Sequence, residues 1–432
     1  CVSVDSPAGA QGGAEPSWHI RLPVVFRYAA TSPAATAAPD SDLSGSAVMA
    51  QAEEPEVQGY HGDPGLSIPA ADYALLPRLE VRESYNDNVF FDDDGDLEQR
   101  VSPSLEFRAR TERLNARVRG VVDIYNYLDL TRYNRVNQYY TLDTEYAMTR
   151  RSSAGLAASW RRDHTFETDL EESGLIQDRN RRDVLFLSPS YEYQLDERSL
   201  LAFDLRFQAT DFDEDQDTDS TVYGGGVTYS RLLDNQKSRI LGNVDLQQVE
   251  YDPVSGDGEQ LTVQVMTGLA HSYAPNKDVV VRGGVSYTDS SFETSGLDLD
   301  DDNWGFLFDA TANWQWELTD LSLGASRSIT ASSFGENITR DRLLLRLNRR
   351  LTERLQVFGN VSLYRSETEG IVDDEERRTL QISPGLTYRL TEMVDLRFGY
   401  SYTATEDVDD NDSESRNIVF GEVALRFPDL LN

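Results

Sequence analysis

The most regular stretch of the chain is its end, where residues 417–427 alternate strictly between two kinds of side chain. Val423 and Leu425 fall on one face of this stretch, and Glu422 and Arg426 fall on the other. A period of two is the signature of a β-strand whose two faces meet different environments. This pattern recurs over most of the chain and sets the expectation for its fold.

Eighteen segments with this alternation follow one another from residue 75. They cover residues 75–88, 98–110, 114–127, 136–148, 153–165, 180–194, 199–210, 220–232, 238–250, 260–273, 278–289, 303–316, 320–331, 340–350, 354–365, 377–390, 393–404 and 416–427. A β-strand crosses a bilayer with about 9–11 residues, so each segment is long enough to do so. The chain has no apolar run of about 18 residues, which excludes a membrane-spanning helix.

The connections between these segments alternate in length. Short polar turns such as 111–113, 196–198 and 352–354 have hairpin chemistry. The longer connections cover residues 89–97, 128–135, 166–179, 211–219, 251–259, 290–302, 332–339, 366–376 and 405–415. Short turns at one end and long loops at the other are typical of outer-membrane barrels.

A soluble β-sandwich also alternates, but its second face must pack into a core. Here Leu201, Phe203 and Leu205 stand opposite Asp204 and Arg206, and the chain supplies no helices to cover the apolar face. Lipid is the simplest partner for that face. The sequence therefore predicts an all-β fold, a transmembrane up-and-down antiparallel β-barrel of about 18 strands covering residues 73–432.

Residues 1–72 have a different composition, rich in Ala, Pro, Ser and acidic residues, without sustained periodicity. This composition predicts a mostly disordered periplasmic arm. A small plug inside the barrel is the alternative. Cys1 is the only cysteine, which excludes an internal disulfide, and its position is open to two interpretations, lipidation or the start of a fragment.

The acidic residues outnumber the basic ones by 75 to 40, and the net charge of −35 argues against a nucleic-acid partner. Many of the acidic residues lie in the long loops. Asp213, Asp215 and Asp217 alternate as calcium ligands do, but the usual central Gly and downstream Glu are missing. We therefore expect a solvated acidic rim that attracts cations, with divalent ions at these three residues as a weaker possibility. No other cofactor is predicted.

Catalytic motifs are missing from the sequence. There are four histidines, no Gly-x-Ser-x-Gly motif and no phosphate-binding glycine loop. Ser159, Asp163 and His164 are the closest approach to a hydrolase triad, but they lie at a strand end. The sequence predicts that the protein is not an enzyme.

Charged residues on the polar parity are the main candidate site, because barrels of 16–18 strands enclose an aqueous channel. The predicted lumen-lining residues are Arg108, Arg117, Arg119, Asp123, Asp204, Arg206, Asp245, Arg282, Asp309, Arg346, Arg389, Asp395 and Arg397. Such a wall would bind polar or charged solutes through many weak hydrogen bonds. The alternative is that the charges pair across strands and hold the wall together.

Two further features of the pattern carry structural expectations. Aromatic residues such as Tyr140 and Trp304 crowd the strand ends on the apolar parity, which is typical of interfacial girdles. Ser-Pro pairs recur at 102–103, 188–189 and 383–384, and Pro inside a strand predicts a bulge or a bend. Residues 224–226 are three glycines within a strand and are expected to let the wall bend or a plug approach.

Two short motifs carry a resemblance to a known family. The residues Ser84-Tyr85-Asn86-Asp87-Asn88-Val89-Phe90, followed by Arg100-Val101-Ser102-Pro103-Ser104-Leu105-Glu106-Phe107, resemble the outer-membrane β-barrel porins often found beside exopolysaccharide export genes. The resemblance implies the outer membrane of a Gram-negative bacterium. The partners that it implies are outer-membrane lipid, the barrel-assembly machinery, and an exported polysaccharide or a small polar solute.

The sequence thus predicts an outer-membrane channel that passes polar solutes or an exported polysaccharide through a charged aqueous lumen. The competing prediction is a non-conducting structural or scaffold barrel of an envelope complex. An electron conduit would need a separate haem protein, because the chain has no Cys-x-x-Cys-His motif.

Overall fold

The computed structural model describes residues 72–91, 94–165, 180–213, 218–252, 257–294, 297–331, 337–369, 375–408 and 412–431. They form one closed antiparallel barrel of eighteen strands, which confirms the predicted fold. The strands β1–β18 span Asp72–Asn86, Asp96–Arg110, Leu114–Tyr127, Arg135–Thr149, Ser152–His164, Arg181–Gln194, Ser199–Phe212, Asp219–Leu232, Ser238–Asp252, Asp257–Ala274, Lys277–Thr294, Leu297–Gln315, Thr319–Ala331, Asn337–Arg350, Leu355–Glu369, Glu375–Arg389, Val394–Asp407 and Asp412–Arg426. Among the described residues, no helix is long and apolar enough to cross a membrane.

The barrel closes where the first strand meets the last. β1 pairs with β2 on one side and with β18 on the other, from Arg78 opposite Arg426 to Asn86 opposite Ile418. Every other strand pairs with its two neighbours in sequence. Closure satisfies the backbone N–H and C=O groups of both edge strands, which an open sheet in lipid would leave without partners.

Alternation separates an outer face from an inner face on every strand. On β7, Leu205 is 63% exposed on the outer face, whereas its neighbour Arg206 is 7% exposed on the inner face. The inner face is not uniformly polar, because Val222, Val249 and Tyr251 form a buried apolar cluster there. None of the described residues forms a layer over the outer apolar face, which is the arrangement that lipid requires.

The short turns at one end of the barrel are held by side-chain oxygens. Thr111 Oγ1 accepts hydrogen bonds from the backbone N–H groups of Arg113 and Leu114, at 3.3 and 2.9 Å. Asp196 Oδ1 accepts from Arg198 and Ser199 in the same way, at 2.7 and 2.9 Å. Because Thr, Asp and Asn close such turns locally, each hairpin is defined by a few residues of its own sequence.

Several connections that were predicted as long loops are shorter in the structure. β11 and β12 remain paired through most of residues 290–302, up to Thr294 opposite Leu297. Strand pairing also enters 366–376 and 405–415. The prediction was wrong here because alternation marks only the part of a strand beside lipid. Backbone pairing continues beyond it without an apolar face.

The recurrent Ser-Pro pairs do not form the predicted bulges. At Pro103 the β2–β3 ladder lacks two pairs, but the register before and after the gap is the same. The same gap occurs at Pro189 and at Pro384, each time on one side of the strand only. Proline has no N–H to donate, so it interrupts one ladder while the other stays paired.

The predicted N-terminal arm lies outside the described residues, except that Asp72 begins β1. The expectation of disorder, the alternative of a plug and the two interpretations of Cys1 therefore stay predictions.

The charged inner wall as candidate functional site

All of the predicted lumen-lining residues lie on the inner face. They are Arg108 on β2; Arg117, Arg119 and Asp123 on β3; Asp204 and Arg206 on β7; Asp245 on β9; Arg282 on β11; Asp309 on β12; Arg346 on β14; Arg389 on β16; and Asp395 and Arg397 on β17. The structure brings most of these residues together in several ion clusters that cross neighbouring strands. Their contacts with solute stay a prediction.

The most deeply buried cluster is a triad of two arginines and one carboxylate, here called the buried triad. Glu422 Oε1 accepts a hydrogen bond from Arg397 Nη1 at 2.9 Å, and its Oε2 lies 3.3 Å from Arg100 Nη2. The three side chains are 1%, 2% and 3% exposed. Beside them, the guanidinium of Arg82 stacks 3.6 Å above the ring of Phe420. The triad joins β2, β17 and β18 across the closure of the barrel.

Arg82 and Arg100 are not among the predicted lumen residues. A usable signal was present, because Arg100 shares the parity of Arg108 on β2. The same parity rule places Arg82 of β1 on the inner face. The register of the structure then puts it opposite Glu422.

Two further triads lie near the short-turn end, and their arginines are 34–50% exposed, although Asp395 itself is 3% exposed. Glu106 contacts Arg108 and Arg117, with Arg117 Nε at 3.0 Å. Asp395 contacts Arg426 and Arg389, with Arg389 Nε at 3.7 Å. In each of these exposed triads one carboxylate is shared by two guanidinium groups, so the local charge is positive.

The charge ratio is reversed in a cluster on the opposite side of the barrel. Arg206 contacts both Asp245 and Asp204, with Asp204 Oδ2 3.3 Å from Arg206 Nε. The cluster crosses β8 at Gly226, which pairs with Asp204 on one side and with Asp245 on the other. A Cβ at Gly226 would lie 2.8 Å from Asp204 Oδ1 and 2.9 Å from an Asp245 carboxylate oxygen. This glycine therefore makes room for the ion cluster.

The remaining predicted residues include one clear ion pair. Arg282 Nε and Nη2 donate to Asp309 Oδ1 at 3.2 and 3.0 Å, across the β11–β12 pair. Arg346 lies between Ser322 and Asn360 in the register. Pairing across strands, the structural alternative for these charges, thus describes a substantial part of the wall.

The Ser84–Phe90 motif closes the barrel at its long-loop end. Asp87 Oδ1 and Oδ2 accept from the backbone N and Nδ2 of Asn417, both at 2.7 Å. Asn88 Nδ2 donates to the carbonyl of Ser415 at 2.9 Å. Phe90 follows in left-handed backbone conformation, with φ of 58°, and packs edge-on against Tyr133 at 4.6 Å. These contacts tie β1 to β18 and give the motif a structural role.

Charged residues also occur on the outer face, near the long loops. Arg327 donates to both oxygens of Asp341, at 2.6 and 2.5 Å, and Arg365 donates to both oxygens of Glu376, at 3.0 and 2.8 Å. A cavity of about 600 Å³ opens on this face below Arg365. These pairs were not predicted from the sequence. They lie on the long-loop side of the apolar band, where lipid headgroups replace acyl chains.

The predicted cation site receives no support from the described residues. Asp213 Oδ2 lies 3.3 Å from Arg181 Nε, whereas Asp215 and Asp217 lie outside the described residues. No cluster of three or more metal-ligating side chains occurs in the part of the chain that the structure describes. Cation binding at these aspartates stays a prediction.

The weak hydrolase candidate is occupied by other contacts. Asp163 accepts a hydrogen bond from Arg182 Nε at 3.0 Å, and His164 Nδ1 lies 3.2 Å from Asn137 Oδ1. Neither contact orients the imidazole toward Ser159 as a base.

Comparison with known proteins gives a partial family match and several barrels of similar fold. Residues 265–427 match the family model of the outer membrane protein beta-barrel domain. The FrpB iron transporter of Neisseria meningitidis is 10% identical, with 78% of this chain and 62% of FrpB covered and a TM-score of 0.46. No curated protein matches the chain.

Two other solved barrels show the same kind of likeness. The copper transporter OprC is 10% identical over 82% of this chain and 67% of its own, with a TM-score of 0.48. OccK2 of Pseudomonas aeruginosa, solved in complex with glucuronate, is 11% identical. The match covers 82% of this chain and 98% of OccK2, with a TM-score of 0.43. These similarities concern the fold alone. The closed barrel and the matched domain indicate the outer membrane of a Gram-negative bacterium, with the short turns in the periplasm.

Proposed function

We propose that the protein is an outer-membrane channel that passes polar solutes through a charged aqueous lumen. The observation that carries the proposal is the separation of the two faces along the strands. On β7, for example, Leu205 faces outward and Arg206 and Asp204 face inward. A charged interior costs desolvation energy unless ion pairs, water or a polar solute compensate it, and the half-exposed side chains of Arg108, Arg117 and Arg389 lie where solvent reaches the wall.

An exported polysaccharide is the finer form of this proposal. It is supported by the sequence resemblance to porins found beside exopolysaccharide export genes and by the hydroxyl and amide groups of the inner wall. Examples are the Thr379–Thr405 and Ser383–Ser401 hydroxyl pairs, at 3.2 and 2.9 Å. Such groups exchange hydrogen bonds with sugar hydroxyls at little cost.

Single-channel recording of the full chain in planar bilayers tests the proposal. We expect stepwise currents, and we expect Arg206→Gln and Asp395→Asn to change the conductance or the ion selectivity because both residues line the inner wall. Glu197→Gln in a short turn is the matched control and is expected to leave the currents unchanged. If neither the full chain nor the chain from residue 72 conducts, the protein is a structural barrel and the proposal is wrong.

A further inference from the structure

Arginine side chains gather at the periplasmic end of the lumen, next to the barrel closure. This arginine patch consists of Arg78, Arg108, Arg117, Arg119, Arg389 and Arg426. Its members lie on the inner face of neighbouring strands, from β16 through β18 and β1 to β3. The side chains of Arg389, Arg108 and Arg117 are 50%, 47% and 44% exposed, so solvent reaches their guanidinium groups.

The patch is positively charged even after its ion pairs are formed. Glu106 and Asp395 each serve two arginines, and Glu80 contacts Arg78. Asp143 also lies opposite Arg117 in the register, so four carboxylates meet six guanidinium groups. A guanidinium binds a carboxylate or phosphate through two parallel hydrogen bonds, so an arginine that shares one carboxylate retains donors for a second.

The extracellular end of the barrel has the opposite charge. Asp129, Asp252, Asp289 and Glu406 lie at or near the strand ends there, and residues 300–302 are three consecutive aspartates. The net charge of the chain is −35, although the arginine patch is basic. Negative charge is therefore concentrated away from the patch. The arginine patch forms one side of the periplasmic mouth, from β16 through β18 and β1 to β3, whereas the Asp204–Arg206–Asp245 cluster lies on the other side and the outer rim is acidic.

Neutral hydrogen-bonding groups lie on the inner face, and those of β10 and β11 lie towards the extracellular end. Gln260 Nε2 donates to Ser290 Oγ at 3.1 Å, and the hydroxyls of Thr262 and Thr288 lie 3.3 Å apart. Like the paired hydroxyls of β16 and β17, these groups both donate and accept. Among them the Ser383–Ser401 pair is only partly buried and suits a ligand with many hydroxyls, whereas a stacked aromatic base calls for exposed aromatic rings.

We propose that the solute is a linear anionic polysaccharide that enters the barrel at the arginine patch and leaves past the acidic rim. The inference rests on the proposed channel function and names its substrate class and its direction. The patch raises the local concentration of a polyanion at the periplasmic mouth, whereas the rim repels a polyanion that approaches from outside. Both effects weaken with salt, because the Debye length falls from about 10 Å at 0.1 M to about 3 Å at 1 M.

The first test is equilibrium binding of oligogalacturonate to the detergent-solubilised full chain by calorimetry. The triple variant Arg108→Gln, Arg117→Gln and Arg389→Gln is expected to bind at least about tenfold more weakly. The matched control Arg113→Gln, Arg151→Gln and Arg354→Gln removes the same charge from the short turns and is expected to bind as the parent does. Equal affinity of the parent and the patch variant would overturn the inference.

The second test adds oligogalacturonate to either chamber of a planar bilayer that holds the channel. We expect block from one chamber at a concentration at least about tenfold lower than from the other, and we expect the patch variant to lose this difference. Neutral dextran is expected to show no sidedness. Equal block from both chambers would refute the proposed substrate and direction, although the channel function would stand. Equally tight binding of a single-stranded oligonucleotide of the same charge would refute the substrate class in the same way. If no current is seen, the channel function fails, and the calorimetric comparison still decides whether the patch binds the anionic saccharide.

Discussion

Replacing Glu422 by Gln tests whether the inner wall near the barrel closure is a low-dielectric environment. The substitution keeps the size of the side chain but removes the charge that joins Arg100 to Arg397. All three side chains of the buried triad are at most 3% exposed. Removing one partner of a buried ion pair costs about 3–5 kcal/mol. Neutralising Glu422 removes the main partner of both arginines, and Arg397 keeps only a 4.0 Å contact with Glu80. We expect the free energy of unfolding to fall by about that amount.

Glu106→Gln is the matched control, since Glu106 also lies between two arginines on the inner face. Its partners Arg108 and Arg117 are 47% and 44% exposed, so water compensates them when the carboxylate is neutralised. Exposed ion pairs contribute about 0–1 kcal/mol. We therefore expect the control to lose at most about 1 kcal/mol.

The assay is equilibrium unfolding in urea of the barrel refolded into lipid vesicles, followed by tryptophan fluorescence. An unchanged dependence on denaturant concentration would show that the two variants and the parent unfold in the same way. If Glu422→Gln and Glu106→Gln lose the same small amount, the buried triad is solvated and the burial argument is refuted.

Three other substitutions follow from the same contacts. Gly226→Val would push a side chain into Asp204, because a Cβ there lies 2.8 Å from Asp204 Oδ1, and we expect a loss of about 1–3 kcal/mol in the same unfolding assay. Asp87→Ala removes two hydrogen bonds to Asn417 at the barrel closure and should cost about 1–2 kcal/mol, and an unchanged unfolding midpoint would contradict the structural role of the motif. The backbone N–H of Arg198 donates to Asp196 and lowers the pKa of its carboxyl group. The ionised carboxylate therefore stabilises this turn when the pH is above the pKa of an unfolded aspartate, and the stabilisation is lost as the pH falls through the lowered pKa of the folded state. Asp196→Asn should abolish this contribution, measured as the difference in unfolding midpoint between pH 7 and pH 3, and an unchanged difference would count against it.

The strand number and the two faces were predictable from the sequence, because both follow from side-chain alternation beside lipid. Leu205 and Arg206 fall on opposite faces by parity alone. The strand ends were not predictable in the same way. Beyond the apolar band the backbone ladder continues through polar residues, as it does from Ser290 to Thr294 on β11.

The partners of the charged residues could not be predicted from parity. Parity places Arg397 on the inner face, but the register of the ladders decides that Glu422 lies opposite it and that Arg100 reaches Glu422. The glycine run illustrates the same limit. It was expected to let the wall bend or a plug approach, whereas the register shows that Gly226 lies between Asp204 and Asp245.

The outer-face pairs were missed for a third reason. Arg327, Asp341 and Arg365 lie on the parity of the lipid-facing leucines, so a rule based on parity alone assigns them to lipid. Height along the barrel axis decides their environment, and height depends on strand tilt and stagger, which the sequence does not state.

The most direct test of the two faces is cysteine scanning along β7 in a Cys1→Ser background. Leu201→Cys, Phe203→Cys and Leu205→Cys should be protected from a charged thiol reagent, and a fluorophore attached there should be quenched by brominated lipid. Asp204→Cys and Gln208→Cys should react with the reagent and resist the lipid quencher. Alternation at every second residue is the predicted result, and equal reactivity and equal quenching on both parities would contradict a barrel with lipid outside and water within.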